Sequence, residues 1–279
     1  MAGTNSAMTH FSTPREALAS IPGCADRNAA IQPLTGGYNN RSYKVTVAER
    51  HYVLRLASNT SQYDARNFTM EQQIHTAAAA AGIAPAIVYA NPEHGLLLSE
   101  FLPGRTWQPG DLLDDRNLHA IAALLRQVHA LPPCGQIFPA TEAAEAYGET
   151  LAEQDADHET AALCIDIVTT SPKVTEPVCC HNDVVTGNIV GDNPPRLIDW
   201  EYARDNDPLF DLASLIGWHD IDGRRIDVLL EAYSNGATAS LRRRLLQRVR
   251  QFDALQWLWL AVRGGDVSRM DRVRVRLVD

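Results

Sequence analysis

The sequence predicts an α+β protein of two unequal lobes: a small antiparallel-sheet lobe over residues 1–102 and a mainly helical lobe over 103–279. Three observations carry this. Apolar residues alternate through Tyr43-Lys44-Val45-Thr46-Val47 and again through Tyr52-Val53-Leu54-Arg55-Leu56, the pattern of half-buried strands. Pro103-Gly104 then punctuates the chain. Beyond it, Leu118, Ile121, Leu124, Leu125 and Val128 recur at helical spacing, a stripe that faces a core.

The elements follow in order. Thr13-Pro14-Arg15-Glu16 has the form of a capping box with proline at the first helical position, so a short helix starts there. Gly36-Gly37-Tyr38-Asn39-Asn40 makes a turn into the first alternating strand, and Ala48-Glu49-Arg50-His51 joins it to the second as a hairpin. A helix from about Tyr63 carries Glu71 and ends at Gly82. Short strands near 87–90 and 96–101 flank the turn Asn91-Pro92-Glu93-His94-Gly95. After the break, helices dominate, interrupted between about 178 and 202 by short apolar runs and loops. A long amphipathic helix is expected from Thr238 to Val262.

Composition excludes several classes. Hydrophobic content is 45% and charged content 21%, ordinary for a globular chain, so disorder and coiled coil are excluded. The formal charge of −9 argues against nucleic acid as a partner and suits a small cationic ligand. The five cysteines are scattered without a CxxC pair, and no HExxH or Cys/His spacing suggests zinc. No run approaches the roughly 18 apolar residues of a membrane span, and Met1 to His10 does not read as a signal peptide. A cytoplasmic protein, monomer or homodimer, with no membrane partner is expected. The basic run Arg242-Arg243-Arg244 with Arg248 and Arg250 reads as a solvated helix face.

The chemistry concentrates in two stretches. His181-Asn182-Asp183 is followed five positions after the aspartate by Asn188, and Leu197-Ile198-Asp199 brings a second aspartate 11 residues later. Phosphoryl transfer asks the protein for a carboxylate to orient and deprotonate the acceptor hydroxyl, and for hard oxygen ligands to magnesium. Asp183 fits the first task; Asn188 and Asp199 fit the second; His181 orients the loop. Asp, Asn and Gly also form turns, and the second aspartate at its offset separates the two readings. In the other lobe, Gly36 and Gly37 would let backbone N–H groups approach nucleotide phosphates. Arg55 on the next strand would contact phosphates and Glu71 would pair with it. The Leu98–Leu102 segment, with Glu100 and Leu102, would meet the adenine.

Leu34-Thr35-Gly36-Gly37 with Asn40-Arg41, Arg55, His181-Asn182-Asp183 with Asn188, and Ile198-Asp199-Trp200-Glu201-Tyr202-Ala203 resemble the choline/ethanolamine kinase family. That family lies within the aminoglycoside phosphotransferase and protein-kinase-like group. Asp207-Pro208-Leu209-Phe210-Asp211 is similar to its segment after the metal-binding aspartate, where the later Asp braces the catalytic loop. The resemblance covers about residues 30–265 and implies a bilobal protein-kinase-like fold, ATP with Mg2+, and a small-molecule alcohol as acceptor. It assigns Gly36, Gly37, Asn40, Arg55, Glu71, Glu100 and Leu102 to the nucleotide. The Ile-Asp-Trp-Glu-Tyr-Ala string is also similar to thiamine kinases. Thiamine and aminoglycosides therefore stand behind choline and ethanolamine as acceptors, and a catalytically silent nucleotide-binding module stands last.

A quaternary ammonium is recognised by aromatic faces and carboxylates. Glu201, Tyr202, Trp200, Trp218, Trp257 and Trp259 are the candidates, with Asp220 and Asp253 as further charge. Trp257 and Trp259, two apart on a helix, cannot share one face. Asp253 lies four residues before Trp257, which favours Trp257.

Overall fold

The structure is a computed structural model and describes residues 11–25, 28–34, 40–57 and 65–278. Strands β2 (Asn40–Val47) and β3 (Arg50–Ala57) form the hairpin that the alternation predicts, in register from Asn40 opposite Ala57 to Val47 opposite Arg50. Its two-residue turn puts Ala48 and Glu49 at φ 46° and 65°. The right-handed twist of the flanking strands demands left-handed backbone there, even without the usual Asn-Gly. The sheet is completed by β1 (Ala30–Leu34), which the sequence did not announce, and by β4 (Ile87–Asn91) and β5 (Leu96–Glu100), in the order β1-β2-β3-β5-β4. Gly36, Gly37 and the expected helix start at Tyr63 lie outside the described residues; α2 is described over Ala65–Ala80.

Helix α1 (Pro14–Ala19) carries the capping box: the Glu16 amide donates to Thr13 Oγ1 at 3.2 Å and the Thr13 amide to Glu16 Oε2 at 3.1 Å. It lays Ala17, Leu18 and Ile21 against Val45, Leu54, Leu56, Leu96 and Leu98 of the sheet, the core of this part.

The helical part comprises α3 (Asp115–His129), α4 (Ala140–Ala152), α5 (His158–Thr170), α6 (Leu209–His219), α7 (Gly223–Ser234), α8 (Ala239–Val262) and α9 (Val267–Val278). The predicted α3 stripe is buried throughout. Helix α6 is buried from Leu209 to Gly217 and crosses α8 closely at Gly217, where a Cβ would fall 2.7 Å from Asp253 Oδ1 and 2.8 Å from Phe252 Cδ1. Short strands β6 (Val178–Cys180) and β9 (Arg204–Asn206) pair antiparallel, as do β7 (Ile189–Val190) and β8 (Arg196–Leu197).

Contacts gather the chain into two compact units, Met1–Trp107 with Gly187–Glu201, and Gln108–Thr186 with Tyr202–Asp279. Backbone bonding explains why 187–201 joins the first. The Leu197 amide donates to Ile83 O at 2.9 Å, the Trp107 amide to Ile189 O at 2.9 Å, and the Trp107 indole to Gly191 O at 2.8 Å. Pro103-Gly104 lies just before the first change of unit. The basic run is not simply a solvated face: Arg242 pairs with Asp227, and Arg248 is buried, its Nε on Asp207 at 3.0 Å.

Candidate active site

In the first unit, strand β3 turns Arg55 inward beside α2. Its guanidinium donates to Glu71 Oε2 at 2.5 Å and to Asp199 Oδ1 at 3.2 Å. Glu71 is almost wholly buried and Arg55 nearly so, while the Asp199 side chain keeps 34% of its surface exposed. Buried charges of opposite sign and good geometry hold one another in place. The expected Arg–Glu pair is therefore present and extends to the second aspartate. The β7–β8 hairpin sets Asn188 beside Asp199: the Ile198 amide donates to Asn188 O at 3.0 Å, and Asp199 itself takes φ 64°. Asn188 and Asp199 offer an amide oxygen and a carboxylate, a donor set that fits a hard cation such as magnesium. Asn40 Nδ2 donates to Glu201 Oε2 at 2.7 Å, which gives this largely buried carboxylate a partner within the unit.

In the second unit, the β6–β9 pair delivers the chain directly into His181-Asn182-Asp183. Asn182 has φ 63°, and its side-chain amide donates to Tyr202 O at 3.0 Å and Arg204 O at 3.2 Å, while Asn206 Nδ2 donates to its Oδ1 at 2.8 Å. Asp211 of α6 is fully buried and accepts the amides of His181 at 2.9 Å and Asn182 at 2.6 Å. His129 Nε2 lies 3.0 Å from the same carboxylate and its Nδ1 2.7 Å from the Tyr233 hydroxyl. Burial pushes the Tyr233 phenol up, and with it the thiols of Cys179 and Cys180, so these neighbours stay neutral. His129, Cys180 and Asp211 place ligand atoms within 4.8 Å of one another, but hydrogen bonds already fill the Asp211 oxygens. This cluster is a brace under the loop that ends at Asp183.

The model of the phosphotransferase enzyme family matches residues 30–252. The chain belongs to this family. Its enzymes are phosphotransferases, and a small antiparallel sheet with a mostly helical remainder is the protein-kinase-like fold. Among solved structures, a choline/ethanolamine kinase family protein from Mesorhizobium loti has a TM-score of 0.74 at 21% identity, covering 95% of this chain and 92% of that one. Choline kinase LicA from Streptococcus pneumoniae has 0.73 at 19%, covering 89% and 93%. LicA in complex with AMP has 0.71 at 19%, covering 91% and 93%. Protein LicA of Haemophilus influenzae is 46% identical over 57 residues, 20% of this chain and 21% of that protein. The match thus spans about a fifth of this curated relative.

The aromatic residues expected for the acceptor differ in their surroundings. Trp200 is fully buried, its indole N–H donating to Leu197 O at 3.2 Å and its ring stacked near His75, so no face is left for a ligand. Trp257 is interior as well, at 2% exposure, and Trp259 is the partly exposed one of the pair. Arg263 stands 4.3 Å over the Trp259 ring and Arg269 4.1 Å over the Trp218 ring, so one face of each already holds a cation. Asp253 is taken by Arg276 through two bonds of 2.8 and 2.7 Å, and Asp220 by Arg276 and Arg272. Tyr202, half-buried, remains beside Ala203 and Arg204 ahead of β9. Glu100 pairs across the sheet with Arg50 at 3.7 Å, and Leu102 is buried. His129, Ser214 and His219 were not singled out from the sequence; single polar residues inside apolar helices carry no pattern of their own. Among the described residues no helix is long and apolar enough to cross a membrane.

Proposed function

We propose that this phosphotransferase moves the terminal phosphoryl group of ATP to the hydroxyl of a small cationic alcohol, choline or ethanolamine first. The observation that carries the reading is the buried Arg55 joined at once to Glu71 and Asp199. A strand cation paired with a helix carboxylate, beside a loop carboxylate suited to magnesium, is the arrangement that orders nucleotide phosphates in protein kinases. Asp183, on the braced loop, orients the acceptor hydroxyl and takes its proton. Asn188 and Asp199 would hold magnesium, which neutralises charge on the phosphates when bound. The backbone from Glu100 to Leu102, with Gly36, Gly37 and Asn40, serves the nucleotide.

The choice of acceptor is supported by the named choline kinases among similar structures and by the net charge of −9. Thiamine stands second, because Ile198-Asp199-Trp200-Glu201-Tyr202-Ala203 is also similar to thiamine kinases. A coupled ADP-release assay against choline, ethanolamine, thiamine and kanamycin decides. Turnover of choline or ethanolamine above the others is expected; a preference for thiamine would overturn the acceptor and leave the chemistry.

A further inference from the structure

Helix α6 runs beside the loop that carries Asp183 and captures its amides in order. Asp211 takes those of His181 and Asn182, Ser214 Oγ takes that of Val184 at 3.1 Å, and His219 Nε2 takes that of Thr186 at 3.1 Å. Over the nine helical residues from Asp211 to His219, a rise of about 12 Å, the acceptors advance along α6 as the amides advance along the loop. The family resemblance accounts for Asp211; it does not account for His219.

We infer that His219 is a positioning residue for the catalytic loop: it fixes the Thr186 amide, three residues after Asp183. An amide N–H can only donate, so Nε2 is the acceptor and the imidazole is neutral with its proton on Nδ1. Two observations agree. Burial, and next the Arg269 guanidinium, lower the His219 pKa to about 4, with Asp220 opposing. Arg269 is itself fixed, donating to Trp218 O at 2.6 Å. The ring therefore stays an acceptor at neutral pH. Thr186 sits three residues after Asp183 in the same unit, so a released amide would loosen the loop that carries Asp183. Misplacement of a reacting group by about 1 Å costs on the order of a hundredfold in rate.

The test compares His219→Gln, whose side-chain oxygen can still accept, with His219→Leu, which fills similar space without an acceptor. Amide exchange across residues 181–188 and kcat with the best acceptor are read in both, alongside KM for ATP. His219→Leu should exchange faster at Thr186 and lose about ten- to a hundredfold in kcat, with KM for ATP within about twofold. His219→Gln should stay close to wild type on all three. Equal losses in both variants would overturn the inference, and so would unchanged exchange in His219→Leu. If the leucine variant does not fold, the glutamine variant decides: a tenfold loss of kcat or faster exchange at Thr186 overturns it. The rate arm rests on the proposed kinase reading, whereas the exchange arm does not. Failure of that reading would show as wild-type protein turning over no alcohol while the exchange difference persists.

Discussion

Arg55 reaches Asp199, 144 residues later in the chain, at 3.2 Å while holding Glu71 at 2.5 Å. One guanidinium thus ties a strand, a helix and the loop that carries Asp199. Its planar fork can serve two carboxylates at once, which an ammonium cannot do with the same geometry.

Arg55→Ala leaves Glu71 buried without its strongest partner. A loss of about 3–5 kcal/mol in urea unfolding is expected. Arg55→Lys should recover much of the stability, yet raise KM for ATP, because it cannot bridge both carboxylates. A lysine variant with unchanged ATP affinity would remove the phosphate role from Arg55.

The pair Arg276–Asp253 tests how α9 is held. Burial pushes the Asp253 carboxyl above its ordinary value even with Arg276 beside it. Arg276→Leu should cost about 3 kcal/mol, since it strands a buried charge, whereas Arg276→Leu with Asp253→Leu should regain most of that. A double-mutant cycle by chemical denaturation reads the coupling; additive losses would contradict it.

The residues proposed for catalysis are legible because phosphoryl transfer imposes a spacing on a short stretch of chain. Asp183, Asn188 and Asp199 can be picked out by counting, and the β2–β3 hairpin by its alternation. Three things could not be read. The strand β1 carries Pro33 and is mostly exposed, so it shows no periodicity. The 187–201 segment joins the first unit through backbone bonds, which no side-chain pattern records. The surroundings of the tryptophans are the third: Arg263 stands over Trp259 and Arg269 over Trp218, contacts that aromatic spacing does not record.

His219 also sets a pH dependence. Its folded pKa of about 4 lies below the ordinary 6.5, so the unfolded chain binds a proton first. The stability it confers is complete above pH 6.5 and is lost as the pH falls toward 4, up to about 3 kcal/mol. Asp253, with its raised pKa, works in the opposite sense just above pH 3.8. The difference between wild type and His219→Gln cancels that contribution. The melting temperature of the wild type should fall more steeply than that of the variant between pH 6.5 and 4. Parallel curves would contradict a buried neutral imidazole.

Asp211→Asn keeps the shape and removes the charge and one acceptor oxygen. Two amides and His129 must then share a single carbonyl. A loss of about 1–3 kcal/mol in stability is expected, with kcat falling further than KM for ATP rises. Full activity in this variant would deny the brace its role.

The central claim is tested most directly by ADP formation from Mg-ATP and the preferred alcohol in Asp183→Ala, alongside ATP binding by calorimetry. The expected result is loss of nearly all turnover with magnesium–ATP bound as in the wild type. Turnover that survives the substitution would contradict the assignment of Asp183 as the base.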